Sequence, residues 1–521
     1  MRMLYKFSSI VCAFILSEVS ILEAARILAF FPTPSISHQI AFRPLTAELV
    51  RRGHDVTVIT PDPMYPEGGA PSNLTEIDIH DISYEKFEDI KLKMSSQTSY
   101  ISQIILLSEM FTHIFEVQLS HQKVQEVLYK NKKHYDLVLI EACVRPALIL
   151  SHIFKSPLIM VSSFGATPNN YKAMGVSTHP FLYPTLIRKE IYNLSLWEKV
   201  KALNIELLLK FLMVQTQTFD DEVLRRNFGP GVPTVAELYN NVDLLLLNAH
   251  PIWVENIPVP PNVVFIGGIQ TNKTTSLPDG LESYLNSSKN GVIYLSFGTN
   301  VKMYTMSAEK RQKFINVLSK LPYDVLWKWD LDEFPGITDN IRISKWLPQS
   351  DLLRHPKVKL FITQGGVQSI DESVFAGVPI IGFPLVADQP YNIEKVVRFK
   401  VGLKLNIETF TEEDLRDAIT TVIEDKSYRE NLVKLRTLMY DQPQRPLERA
   451  IWWIEHVLRH GGGKHLRTPA ANMSWVEYYE LKLVSILLLS LSVALFVITI
   501  IIRWLYIKIL LLCNSVKIKV S

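Results

Sequence analysis

The sequence predicts an α/β protein with two doubly wound parallel sheets, and three observations carry that prediction. In each half of the chain, short Val/Ile/Leu/Phe runs alternate with helix-period segments, the pattern of strands covered by helices on both faces. A proline cluster (Pro251, Pro258, Pro260, Pro261) separates the halves. In the second half an apolar run at 360–363 meets Gln364-Gly365-Gly366 and then a helical pattern carrying Ser369 and Glu372, a strand, turn and helix in succession.

Residues 1–25 begin with basic Arg2 and Lys6, continue with an apolar run at 10–16 and end on small Ala24 and Ala25, the layout of a cleavable signal peptide. Glu18 and Glu23 interrupt the apolar length that a first membrane span would need. The first domain, 26–250, has strands expected at 26–32, 55–60, 136–140, 157–162 and 242–247. Residues 251–261 read as a hinge-like linker, because clustered prolines continue neither a helix nor an internal strand. The second domain, 262–446, opens on a strand at 263–266 and continues with strands at 291–297, 325–329, 360–363 and 379–383. Residues 447–460 show helical periodicity within a segment, 447–482, that leads to the membrane.

Residues 483–502 are uncharged and apolar, long enough at about 1.5 Å per residue to cross a bilayer. Arg503, Lys508, Lys517 and Lys519 follow, so the positive-inside rule puts the tail 503–521 in the cytosol and everything before the span in the lumen, a single-pass type I arrangement. The terminal Lys517-Ile518-Lys519-Val520-Ser521 fits the K-x-K-x-x retrieval pattern of the endoplasmic reticulum membrane; a basic tail on anionic lipid is the alternative. Cys12 falls in the signal segment and Cys513 in the tail, so Cys143 is alone in the lumenal part and has no partner for an intrachain disulfide. Asn73, Asn193, Asn272, Asn286 and Asn472 open N-x-[ST] triplets, as suits a lumenal chain. A net charge of +3 over 521 residues gives no electrostatic case for nucleic acid, and the sequence is compatible with a homo-oligomer.

Candidate binding residues concentrate in 346–389. A glycine turn that opens a helix is an anion site, because the first helical N–H groups lack internal partners and the dipole favours negative charge. Around it, Trp346 offers a flat face to a base, Gln349 an amide to a ribose or base edge, Ser369 a hydroxyl to phosphate, and Glu372 a carboxylate to two ribose hydroxyls. Asp388 and Gln389, after the next strand, suit sugar hydroxyls. The ordered block W-L-P-Q, F-I-T-Q-G-G-V-Q-S-I-D-E-S and A-G-V-P-I-I-G-F-P-L-V-A-D-Q resembles the signature of the UDP-glycosyltransferases, and the resemblance extends from about 26 to 482. It implies the GT-B fold, two Rossmann-like domains facing across a cleft, with the 447–460 helix crossing back onto the first domain.

In the first half, Pro34-Ser35-Ile36-Ser37-His38 follows the first strand, at the end of an open α/β sheet where ligands bind. Within S-H-x-x-x-x-x-P-L-x-x-x-L-x-x-R-G-H-x-V-T, His38 matches the position of the general base in that family, while His54 reads as structural. An imidazole base needs a carboxylate on its far nitrogen. Glu141 is the candidate; most members have Asp there. Asp136 starts the same strand and should point away from the cleft.

The resemblance implies inverting transfer of a hexosyl group, glucose above others, from a UDP-sugar donor to a hydroxyl of a small lipophilic acceptor. His38 would take the acceptor proton, and Ser296, Gly298 and Thr299, with Gln364, Gly366 and Ser369, would stabilise the leaving diphosphate. Such donors make a metal or other cofactor unnecessary, and Asp330-Leu331-Asp332 reads as a solvated loop rather than a metal-binding D-x-D. Gln364 stands where most members have His; with Glu141 it looks more like the arthropod branch, which mostly uses UDP-glucose. Segments at about 64–130 and 165–230 should line the acceptor pocket. The competing readings are a glucuronate- or lipid-specific transferase and a catalytically weakened lumenal binding protein.

Overall fold

The computed structural model describes residues 24–95, 100–130, 133–272, 276–299 and 301–520. The expected signal peptide, apart from its last two residues, lies outside them, as does Ser521 of the retrieval motif.

Seven strands form the first sheet: β1 (Arg26–Phe30), β2 (Asp55–Thr60), β3 (Leu74–Asp78), β4 (Leu137–Glu141), β5 (Leu158–Ser162), β6 (Val242–Leu247) and β7 (Val263–Phe265). They are parallel throughout, in the order β3-β2-β1-β4-β5-β6-β7. The second sheet, also parallel, orders its six strands β10-β9-β8-β11-β12-β13, from β8 (Val292–Ser296), β9 (Asp324–Lys328), β10 (Ile341–Ser344), β11 (Val358–Thr363), β12 (Ile380–Gly382) and β13 (Gly402–Lys404). Strand order reverses between β1 and β4 in one sheet and between β8 and β11 in the other. Such a reversal parts the two connecting loops and opens a crevice at the carboxyl ends of the strands. His38, Glu141, Ser296–Thr299 and Gln364–Ser369 all stand at or just beyond the carboxyl ends of these four strands.

The central strands are the apolar runs of the sequence, and their alternate side chains enter separate cores on the two faces. The unexpected strands, β3 (L-T-E-I-D), β10 (I-R-I-S) and β13 (G-L-K), are all sheet edges. An edge strand is covered less and tolerates charge, so it lacks the continuous apolar run by which buried strands are recognised.

The domain boundary differs from the one the prolines suggested. Strand 263–265 does not open the second domain; β7 pairs with β6 and closes the first sheet, with Val264, Ile266 and Ile269 in the first domain's core. The proline segment is therefore the crossover between neighbouring parallel strands. Nor is it a loose hinge: Trp253, in the 3₁₀ turn Pro251–Val254, is buried against Ile370, Val374 and Ile393 of the second domain. Its indole N–H donates to Asp371 Oδ1 at 3.1 Å and its carbonyl accepts from the Tyr391 hydroxyl at 3.1 Å.

The helix Pro446–Arg459 buries Ala450, Ile451, Ile454 and Val457 in the first domain's core, the crossing back that the resemblance implied. The terminal helix runs Leu481–Val520, past the expected break at 502, and its apolar part Leu481–Leu512 has a mean hydropathy of 2.9 with no cover from the rest of the protein. Arg503 and Lys508 thus continue the helix instead of starting an irregular tail.

Candidate active site

The first wall of the cleft is assembled around Glu141. As the last residue of β4 it is buried beside the end of β1, whose Phe30 pairs with Ile140. The helix Ile36–Arg51 begins just beyond β1 and carries His38 in its first turn. His38 Nδ1 and Glu141 Oε1 lie 2.5 Å apart, and the Thr33 N–H donates to the other carboxylate oxygen at 3.2 Å. The Cys143 thiol donates to Glu141 Oε1 at 3.3 Å; burial first, then the Glu141 charge, push this thiol well above its usual range, so it stays protonated. The Phe164 ring meets His38 edge-on, centroids 5.8 Å apart. With Nδ1 engaged, Nε2 is the nitrogen left for a substrate proton.

Donor atoms of His38, Glu141 and Cys143 lie within 4.8 Å of one another, close enough for a cation. Each is already engaged in a hydrogen-bond chain, which is the arrangement of an oriented base. His54 accepts the Ala25 N–H on Nδ1 at 3.2 Å and is buried, a structural position, and Asp136 takes the Arg26 N–H at the opposite ends of the strands.

The second wall is a set of turns held by their own polar groups. Gly366 caps the helix Val367–Ala376, so its first N–H groups have no capping side chain. Gly298, at φ 72°, comes so close to the neighbouring turn that a side chain's first carbon there would sit 2.6 Å from Gln364 Nε2. Gln364 is largely buried and, among the described residues, its carbonyl oxygen has no hydrogen-bond partner. Ser296, in contrast, is buried and its hydroxyl accepts the Gly298 N–H at 3.3 Å; it braces the turn, in which Gly298 and Thr299 are half-buried.

Gln349, Ser369 and Glu372 are brought together. The Gln349 amide donates to Ser369 Oγ at 3.0 Å and to Glu372 Oε2 at 2.7 Å, and its carbonyl accepts from the Tyr294 hydroxyl at 3.1 Å. Burial pushes the Glu372 carboxyl up to about 7, against the pull of Gln349 and Arg354. Trp346, beyond the end of β10, keeps 58% of its surface exposed, so it is no core residue. Gln389 turns its carbonyl inward to accept the Leu385 and Val386 N–H groups at 2.9 and 3.0 Å, and Asp388 accepts from Asn392 at 2.8 Å. Burial raises the Asp388 carboxyl, while Asn392 and the His38 charge across the cleft lower it. Asp330 is paired with Lys328 at 2.5 Å and Asp332 with Lys345 at 2.7 Å, so neither carboxylate of the D-x-D stands free.

The walls touch. Gln368 donates to the Ser163 carbonyl at 2.8 Å, and a cavity of about 210 Å³ opens between Ile36, Tyr84 and Phe87 on one side and Thr299 and Lys302 on the other. On the outer side Glu255 joins the domains: Lys395, fully buried, lies 2.5 Å from it, Tyr192 donates to it, and Arg398 lies 3.5 Å away. Sequence reasoning missed Thr33, Cys143, Phe164, Gln368 and the Glu255–Lys395 pair. The one signal available was Cys143, two residues beyond Glu141.

Two facing Rossmann-like domains with these loops at both switch points define a GT-B glycosyltransferase. Solved structures agree in fold: the glycotransferase of kitacinnamycin superposes with a TM-score of 0.58 at 20% identity, covering 83% of this chain and 99% of that one. A Polygonum tinctorium UDP-glucosyltransferase capable of glucosylating indoxyl gives 0.57 at 16% identity, over 84% and 98%. The family described as UDP-glucoronosyl and UDP-glucosyl transferase matches residues 26–515. An ecdysteroid UDP-glucosyltransferase of Spodoptera littoralis nuclear polyhedrosis virus is 36% identical over 90% of this chain and 94% of its own length. Human UDP-glucuronosyltransferase 2B10 is 32% identical over 87% and 88%. The chain belongs to the UDP-glycosyltransferase family and is a glycosyltransferase.

Proposed function

We propose that this enzyme transfers glucose from UDP-glucose, with inversion, to a hydroxyl of a small lipophilic acceptor, as in conjugation or detoxification, using no metal or other cofactor. The observation that carries this reading is the His38–Glu141 pair, bonded at 2.5 Å on the wall opposite the uncapped helix and the Gln349–Glu372 cluster. His38 Nε2 accepts the acceptor proton, Glu141 stabilises the resulting imidazolium, and the oxygen attacks the anomeric carbon from the face opposite UDP. The N–H groups after β8 and β11, with the Gln364 amide and the Ser369 hydroxyl, receive the charge of the leaving diphosphate. Trp346 and Glu372 hold base and ribose, and Asp388 and Gln389 the sugar.

Glucose is favoured because Gln364, a neutral amide, offers no charge to a sugar carboxylate, and because the viral ecdysteroid relatives are named for glucose transfer. The test is UDP release with UDP-glucose against UDP-glucuronate over phenolic and steroidal acceptors, with the product anomer read by NMR. Preference for UDP-glucuronate overturns the choice of donor, and no release with either donor returns the chain to a binding role.

The apolar helix anchors the protein, and the basic residues beyond its apolar centre support a type I orientation in the endoplasmic reticulum with the catalytic domains lumenal. Asn193 and Asn286 are exposed and suit glycosylation, whereas the Asn73 and Asn472 amides donate to backbone carbonyls of the fold. Replacing Lys517 and Lys519 by serine should let the anchored protein escape to later compartments; retention of that variant would remove the terminal motif from the explanation.

A further inference from the structure

Where the two walls meet, one side chain of the second domain ends on the segment that flanks the base. Gln368 stands in the first turn of the helix Val367–Ala376, between Gly366 and Ser369. Its Nε2 donates to the Ser163 carbonyl at 2.8 Å, joining residues 205 positions apart. Trp253 and Glu255 join the domains from the crossover segment, whereas Gln368 joins them through the residue next to Phe164.

The carbonyl that Gln368 reaches is held firmly from its own side. On β5, Val161 pairs with Glu141, and the strand ends at Ser162 beside Leu247 of β6, so Ser163 and Asn248 are the first residues beyond two paired strand ends. Asn248 is buried and donates to the same Ser163 carbonyl at 3.2 Å and to Gln270 Oε1 at 3.1 Å, while its own carbonyl accepts the Gly268 N–H at 3.1 Å. A carbonyl oxygen has two lone pairs and takes both amides. The turn that follows is closed on itself: the Ser162 hydroxyl donates to the Gly165 carbonyl at 2.9 Å and accepts the Phe164 N–H at 3.4 Å. Gly165 is packed so closely that a side chain's first carbon there would sit 2.9 Å from Leu186. Held in this turn, Phe164 sets the edge-on contact with His38, 5.8 Å between centroids and 67° between planes. A shift of the Ser163 carbonyl therefore moves the ring that rests on the base.

We propose that Gln368 is a positioning residue for the transfer: through the Ser163 carbonyl and the Phe164 ring it sets where His38 stands relative to the helix that receives the leaving diphosphate. The inference rests on His38 as the base of the proposed reaction. Base and diphosphate site belong to different domains, and a misplacement of about 1 Å between reacting groups costs up to about a hundredfold in rate. A Gln368 that only bound nucleotide would act on UDP affinity; one that acts through Phe164 acts on kcat.

The test uses the full chain in detergent. Gln368→Met keeps the length of the side chain and removes the donor. It should lower kcat by about tenfold with whichever UDP-sugar the native enzyme uses, while calorimetric UDP affinity stays native. Phe164→Leu should cost a similar factor, and the double variant should be no slower than the slower single one, because both changes interrupt one chain of contacts. The His38 ring reports the same event without turnover: its carbon resonance in histidine-labelled protein, assigned by its loss in His38→Ala, should move in Gln368→Met. Gln368→Asn, whose amide is one methylene short, carries the test should the methionine variant lose its thermal unfolding transition. Native kcat or an unmoved His38 resonance in Gln368→Met overturns the proposal. So do losses that multiply in the double variant, and a folded variant that keeps kcat but loses UDP affinity makes Gln368 a nucleotide ligand instead. A native chain that transfers no sugar would remove the proposed reaction, and the His38 resonance would then decide the positioning by itself.

Discussion

The two walls of the cleft are finished to different degrees. On the first, His38, Glu141, Thr33 and Cys143 satisfy one another in a closed chain of hydrogen bonds, and the carboxylate at its centre is fully buried. On the second, the polar groups hold one another only in part: among the described residues the Gln364 carbonyl is buried without a partner and the Val367–Ala376 helix has no capping side chain, and Glu372 carries a carboxyl raised to about 7. A base must be oriented before substrate arrives, whereas an anion site gains from donors that only the ligand completes. On the proposed mechanism the contrast separates a wall for proton transfer from a wall for binding, and it can be broken from either side.

The largest effect should come from the finished wall. His38→Ala should lower kcat by about 10²- to 10⁴-fold while calorimetric UDP affinity stays as it was. A parallel loss of UDP binding would mean that the walls are not independent. On the binding wall, Gln364→Ala should cost about 2–4 kcal/mol in kcat/KM for the donor sugar, the scale of one preorganised donor, and Gln364→His should retain most activity because a neutral imidazole supplies the same donor. Alanine performing as well as glutamine would make the position a bystander.

Glu372 gives the contrast a pH signature. Ribose hydroxyls that donate to its carboxylate favour the ionised form, so the carboxyl titrates lower with nucleotide bound than in the free protein, where it sits near 7. Binding then releases a proton, and UDP affinity rises as pH rises through about 7 and levels off above, by about tenfold for each unit of difference. In Glu372→Gln this part of the dependence should vanish, leaving the nucleotide's own titration, which is common to both proteins. Identical pH curves would place the ribose elsewhere.

The binding wall was also the more legible in sequence, and the reason is local. Trp346, Gln349, Gln364, Ser369, Glu372, Asp388 and Gln389 fall within 44 consecutive positions (346 to 389), on one strand-turn-helix unit and its neighbours, so their order and side-chain chemistry together suggest a nucleotide sugar. The first wall joins residues 103 positions apart, His38 and Glu141, and only the adjacency of β1 and β4 in a reversed strand order brings them to 2.5 Å. Central strands were legible as apolar runs and edge strands were not. The proline cluster misled because a crossover between parallel strands and a domain linker use the same residues to leave an element; what distinguishes them is where Val263–Phe265 pairs, a long-range fact. Glu255–Lys395 was invisible for the same reason, 140 residues separating its members.

The smallest effect, and the sharpest probe of how finished the first wall is, concerns Cys143. Its thiol is one of two donors from β4's surroundings that hold Glu141, the other being the Thr33 N–H, and its Sγ also lies 3.9 Å from Thr33 Oγ1. The extra methylene that Glu has over Asp makes such support useful, since a longer side chain has one more torsion to fix. Cys143→Ala should therefore lower kcat severalfold, matching about 0.5–1.5 kcal/mol for one hydrogen bond, with UDP affinity unchanged. Cys143→Ser, which restores a donor, should recover most of the loss. The two variants together discriminate orientation from space-filling: alanine and serine differ little in volume, so recovery in serine marks a lost donor and not lost packing. An alanine variant with native kcat would show that Glu141 is oriented by His38 and Thr33 alone.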